Sequence, residues 1–253
     1  MDYFADGHFI LHPTNLISLM SDCFGSPFKL NAMKKTAIIL GATGLTGSIL
    51  LKKLLKDPAY EKIKLFSRST AEIDSPKIEE HLIDMFQLEK HSEAFKGDVV
   101  FCCIGTTKAK TPDKETYKKI DYGIPVTSAK LAKQNGSETF IVISAMGADA
   151  DSSIFYNKTK GEMQRDVLNQ NIEKTYILQP SLIVGDRAEN RFGEKVATFF
   201  MKSFGFLIPK KYKMIKAETI AEAMLVLAKE GFSKQQITSN EIKQIAQNAG
   251  NRA

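Results

Sequence analysis

Three tyrosines in this chain stand four residues ahead of a lysine: Tyr60 before Lys64, Tyr156 before Lys160 and Tyr212 before Lys216. On a helix that spacing stacks a phenol and an ammonium one turn apart on the same face. A nearby cation favours the phenolate, so such a pair is expected to bring the tyrosine pKa down from its usual value near 10 and permit proton exchange near neutral pH. Context separates the three. Tyr60 falls at a helix-to-strand turn, and Tyr212 lies in the basic stretch Lys210–Lys216. Only Tyr156 and Lys160 open a helical pattern directly after an apolar run, one that ends in Ser144.

A second constellation is Gly41-Ala42-Thr43-Gly44-Leu45-Thr46-Gly47, set between an apolar run and an amphipathic stretch. Strand, glycine turn and helix in that order are what a diphosphate-binding turn needs. Gly41 supplies the sharp exit, Gly44 lets the backbone approach a pyrophosphate, and Gly47 lets the helix pack close to the sheet. Backbone N–H groups and the positive end of the helix dipole are placed to hold the diphosphate. No Gly-Lys-Ser/Thr continuation follows, so this is not a nucleoside triphosphate loop. About 20 residues on, an NAD site places an acid for the ribose 2′-OH. Here the chain reads Phe66-Ser67-Arg68-Ser69-Thr70. A guanidinium and hydroxyls suit a 2′-phosphate, so NADP(H) is the expected cofactor in preference to NAD(H), which stays open.

These residues need elements to hold them, and the apolar periodicity supplies them. Thr36–Leu40, Lys62–Ser67, Asp98–Gly105, Thr139–Ser144 and Thr175–Val184 read as buried strands, with Ile78–Asp84 as a shorter one. Leu45–Lys56, Glu115–Gln134, Ser153–Asn169, Glu194–Ser203 and Ala217–Lys229 read as helices, the second bent near Gly123-Ile124-Pro125. Strands alternating with helices predict an α/β fold, a doubly wound parallel sheet, with a small C-terminal helical region on the substrate side. Residues 33–253 are expected to form this domain. Residues 1–32 read as a weakly ordered accessory segment or an upstream mis-called start, because MKKTAIIL at Met33 resembles a natural beginning.

Composition narrows the class. The chain has 253 residues, 43% hydrophobic and 25% charged, with 16 Gly and 8 Pro, which excludes collagen-like, disordered and membrane-embedded chains. No apolar run is long enough to span a bilayer, and no secretory signal is present. Three cysteines cannot build an extracellular disulfide framework, so a reducing, cytoplasmic location is expected. The net charge of +6 points to an anionic partner. Lys210–Lys216 is too short, and lacks the aromatic array, to make nucleic acid the expected one. His8, His12, His81 and His91 form no metal-ligand pattern. Phe199, Phe200, Phe204 and Phe206 read first as core packing and otherwise as a pocket wall or dimer surface, which leaves a homo-oligomer open.

Taken together, GATGLTG, DVVFCCIGTT, SAMGAD, Tyr156-Asn157-Lys158-Thr159-Lys160 and LQPSLIVGDR resemble an atypical short-chain dehydrogenase/reductase, within the group of Tat-interacting oxidoreductase-like proteins and their bacterial relatives. The likeness runs from about Met33 to Lys229. It implies that Tyr156 is the general acid/base, that Lys160 tunes it and holds the nicotinamide ribose, and that Ser144 binds the substrate oxygen. It places Thr43, Leu45 and Thr46 at the diphosphate, and Asp84 and Met85 by the adenine. Cys103, Ile104 and Gly105 then line the nicotinamide side, with Gln179, Pro180 and Ser181 bordering the carboxamide. Met146 stands where the superfamily's sugar epimerases carry their catalytic hydroxyl, a departure from the pattern.

The expected function is hydride transfer between NADPH and a small carbonyl or alcohol. A non-catalytic NADPH-binding regulator is the alternative, and a nucleotide-sugar epimerase or dehydratase ranks behind both.

Overall fold

The computed structural model describes residues 34–185 and 214–250. Its elements follow the apolar pattern: β1 (Lys35–Leu40), α1 (Leu45–Lys56), β2 (Tyr60–Ser67), β3 (Ile78–Leu82), β4 (Val99–Cys102), α2 (Lys114–Lys118), a π-helical turn (Lys119–Gly123), α3 (Ile124–Gln134), β5 (Thr139–Ile143), α4 (Phe155–Leu168) and β6 (Lys174–Gln179). After these come β7 (Ile183–Val184), β8 (Ile215–Lys216), α5 (Ala217–Glu230), β9 (Gln236–Thr238) and α6 (Ser239–Gly250). Residues 1–32, Tyr212, the phenylalanine cluster and the helix expected over 194–203 lie outside the described residues.

Seven strands form one sheet in the order β3-β2-β1-β4-β5-β6-β9, with every pairing parallel. Alternation along β1 explains why its run of apolar residues is unbroken. Ala37 and Ile39 pack on the side of α1, α5 and α6 with Leu50, Leu54 and Met224. Ile38 and Leu40 pack on the other side with Phe95, Phe140, Met163 and Val167. The chain leaves β1 towards β2 and β3, then returns to β4 on the far side of β1. A crevice opens outside the carboxyl ends of such strands, and the glycine turn sits in it.

Several boundaries differ from expectation by a few residues, most of all at the end of the sheet. The last long strand stops at Gln179, because Pro180 has no N–H to continue the ladder. Ile183-Val184 pairs instead with Ile215-Lys216. Strand β9 and helix α6 were not expected. Gln236-Ile237-Thr238 carries a single buried apolar residue, too little for a periodic signal. Tyr60 is no turn residue: it begins β2 and is fully buried. Four residues along a strand span about 13 Å, so its spacing to Lys64 pairs nothing.

Candidate functional site

The nucleotide end is built from backbone. Gly41 has φ +85°, and a Cβ there would lie 2.9 Å from the Cys103 carbonyl oxygen. A Cβ on Gly47 would overlap the carbonyl oxygen of Gly41. The turn therefore lies flush between α1 and the end of β4, a cradle that side chains would fill. Gly44 is the N-cap of α1 and contributes no side chain to it. The first-turn amides of α1 consequently face the crevice without a built-in acceptor, which fits a diphosphate. Thr43 and Gly44 are exposed at the tip, Leu45 is half-buried, and Thr46 is buried beneath them.

The expected reaction end is built from side chains on three elements. Lys160, on α4, is buried, and its Nζ lies 2.7 Å from Oδ1 of buried Asp121 in the π-helical turn. The other Asp121 oxygen accepts the Thr106 N–H at 2.8 Å. A Cβ on Gly105 would sit 3.8 Å from Asp121 Oδ1 and 4.0 Å from Lys160 Nζ. The expected nicotinamide side and the expected lysine are thus brought together. Pro125 explains the wide turn: it lacks an N–H and its ring crowds the Asp121 carbonyl. The chain closes instead with Ile124 N–H donating to Lys119.

The expectation that Lys160 pulls Tyr156 towards neutral pH is corrected. Tyr156 is pushed above the usual phenol range, first by burial, with Lys160 opposing and Asp121 adding to the rise. Burial outweighs the cation on which the expectation relied, and Asp121 offsets part of its pull. The same carboxylate holds Lys160 protonated despite its burial. Tyr117 packs edge-on against Tyr156 at 6.5 Å between ring centres and is raised chiefly by burial.

Ser144 lies just beyond β5, and its N–H donates to Leu178. Its buried hydroxyl accepts from Gln164 at 2.6 Å, and Gln164 accepts from Gln179 at 2.9 Å. The Gln179 amide is therefore linked to Ser144 through Gln164. The Pro180 carbonyl accepts the Met146 N–H, and Ser181 meets Ser239 at 3.0 Å. At the far side of the crevice Ser67 is buried and donates to the Ser69 carbonyl. Arg68 is exposed and makes no hydrogen bond or ion pair among the described residues. Asp84 caps the short helix Met85–His91 through the Phe86 N–H, and Met85 is buried in the core.

Three contributors went unread. Asp121 looked like one more charge on an amphipathic helix, and only the π-turn brings it inward. Gln164 lies two turns beyond Tyr156, where the helical period puts it on the buried face; that period was the available signal. Glu80, on β3, reaches Thr70 Oγ1 and the Ala71 N–H at 2.8 and 2.7 Å, so an acid does approach the loop after β2, with both oxygens engaged. Burial raises both thiols, Cys102 to about 11, so neither supplies a thiolate. Among the described residues no group of three potential ligands could hold a metal, and no helix is long and apolar enough to cross a membrane.

A family model described as NAD(P)H-binding matches residues 41–201. The chain is 35% identical over 205 residues to protein FMP52, mitochondrial, of Candida albicans, covering 78% of this chain and 90% of that one. It is 32% identical over 201 residues to protein HTATIP2 of Rattus norvegicus, covering 76% and 80%. Among solved structures, a UDP-glucose 4-epimerase of Thermotoga maritima with UDP-glucose superposes with a TM-score of 0.63 at 14% identity, covering 85% and 82%. The Bordetella bronchiseptica enzyme WbmG in complex with NAD gives 0.63 at 13%, covering 88% and 81%. At those identities the likeness establishes the fold. The mitochondrial names overturn the cytoplasmic expectation. Cysteine usage separates oxidising from reducing surroundings, and the cytosol is not the only reducing one.

Proposed function

The chain belongs to the NAD(P)H-binding family of Rossmann-type domains, and from that premise we propose that it is an NADPH-dependent oxidoreductase acting on a carbonyl or alcohol. One observation supports this above the others: Lys160, one helical turn from Tyr156, lies against Gly105 at the carboxyl end of the strand beside the glycine turn. A proton-transfer pair and a diphosphate cradle thus border one crevice.

When bound, NADPH supplies the hydride. The chain's own residues do the rest. The amides of Leu45 and Thr46, with the Thr43 hydroxyl, hold the diphosphate, while the Gly44 N–H closes the turn on the Gly41 carbonyl. Arg68 would supply the cation for a 2′-phosphate, with Ser67 shaping the loop through its bond to the Ser69 carbonyl, while Asp84 and Met85 border the adenine. Cys103, Ile104 and Gly105 wall the nicotinamide on one side, and Gln179, Pro180 and Ser181 on the other. Ser144, which accepts from Gln164, keeps its own O–H free to donate to a substrate oxygen. Tyr156 gives that oxygen its proton, and Lys160 fixes the ribose.

The test is a cofactor and carbonyl panel on wild type, Tyr156→Phe and Arg68→Ala. NADPH at 100 times its dissociation constant should stabilise wild type and Tyr156→Phe alike, by about 2.7 kcal/mol. Tyr156→Phe should lose NADPH oxidation with every active carbonyl, and Arg68→Ala should cut the preference for NADPH over NADH roughly tenfold. A second reading, a cofactor-binding regulator, draws on the burial that makes Tyr156 reluctant to ionise. Tight NADPH binding with no turnover across the panel would select it.

A further inference from the structure

Among the described residues, Asp121 and Lys160 are the only charged side chains in the fully buried class. Both Asp121 oxygens are engaged, one by Lys160 and one by the Thr106 N–H. The carboxylate is therefore held in one orientation. A buried ammonium alone would act on Tyr156 as an uncompensated positive charge. Paired at 2.7 Å, it acts as a dipole, and its pull on a neighbouring phenol is weakened.

The other groups around Tyr156 add no compensating cation. Tyr117, on α2, presents its ring edge, and its hydroxyl is 3.4 Å from the Thr106 carbonyl. Cys102, on β4, is a buried neutral thiol. Lys114 lies over the Phe155 ring at 5.6 Å, and Lys118 is tied to Glu162 of α4 at 2.7 Å. In the loop before α4, Asp149 Oδ1 accepts the Asp151 N–H.

We propose that Asp121 is a positioning residue: it locks Lys160 into a neutral buried pair beside Tyr156, so that the phenol keeps its proton until a substrate oxygen is in place to take it. The inference rests on the oxidoreductase reading and adds the residue that holds its lysine. The substrate carbon takes the hydride and its two electrons, which NADPH gives up to become NADP+. The substrate oxygen takes the Tyr156 proton, and the phenolate left behind is reprotonated from water.

The experiment follows tyrosine ionisation in the full-length protein by NMR of 13Cζ-labelled tyrosine from pH 8 to 12, without substrate. The Tyr156 signal is assigned by its loss in Tyr156→Phe. In wild type it should remain a phenol past pH 10. In Asp121→Asn its midpoint should fall by at least about one pH unit, a tenfold rise in the ionisation constant. Asp121→Glu, which keeps the charge, should return it towards wild type. An unchanged midpoint in a folded Asp121→Asn overturns the proposal. So does wild-type titration below pH 10, which needs no variant to fold. An inert carbonyl panel would instead sink the oxidoreductase reading while leaving the titration result standing.

Discussion

The two ends of the crevice are built from different materials. The nucleotide end is main chain: three glycines, a helix start and a strand end, with almost no side chain involved. The reaction end is side chain: a phenol, an ammonium, a carboxylate and two amides drawn from α4, the π-turn and β6. Main chain tolerates change in its neighbours but not added atoms. An interlocked set of buried polar groups tolerates volume but not the loss of a partner. The difference teaches where each end will fail.

The largest effect should come from Lys160→Met, which leaves the Asp121 carboxylate buried without its counter-charge. Breaking such a pair costs about 3–5 kcal/mol, read by urea unfolding. Adding Asp121→Asn should restore most of it, since the amide oxygen can still accept from Thr106. Additive losses in the double variant would mean that the pair is not a unit.

Steric variants come next. A Cβ on Gly47 overlaps the Gly41 carbonyl, and one on Gly161 overlaps the backbone of Asp149 and Ala150. Gly47→Ala and Gly161→Ala should each lose about 1–3 kcal/mol. Their ligand response should differ: Gly47→Ala loses the NADPH-induced thermal shift, whereas Gly161→Ala retains it. Loss in both would erase the division between the ends.

The smallest effect is alkaline. Tyr117 and Tyr156, both at the reaction end, are held above the usual phenol range, chiefly by burial. Above pH 10 their unfolded counterparts lose protons that the fold retains, so the unfolded state binds fewer protons and stability falls as pH rises. The loss is about 1 kcal/mol per phenol between pH 10 and 11. Tyr117→Phe should flatten that slope in thermal unfolding measured against pH; an identical slope would show that Tyr117 titrates normally.

The same contrast explains what could be read without coordinates. Helix α1 was expected over Leu45–Lys56 and spans those residues, because a glycine turn, an amphipathic run and Asp57-Pro58 all act locally. The parallel sheet followed from alternation alone. Tyr156 and Lys160 were legible because four residues on a helix make one face. Asp121 was not, since its contact crosses 39 residues of chain and depends on a turn wider than the helical period assumes. Strand β9 was missed because its single buried residue, Ile237, leaves no pattern. Local rules reach main-chain sites and stop short of long-range ionic ones.

The π-turn at Lys119–Gly123 carries one more consequence. Helical phase accumulates at about 100° per residue. Removing any one residue from this turn would restore ordinary winding, and whatever lies on one side of it would swing by that angle. Either Asp121 would leave Lys160, or α3 would turn Leu131 and Ala132 out of the core. Substitution within the turn changes chemistry, while a change in its length rewrites geometry. The surplus residue is thus a fixed spacer between core and site, and insertions or deletions are least tolerable where the helix looks most irregular.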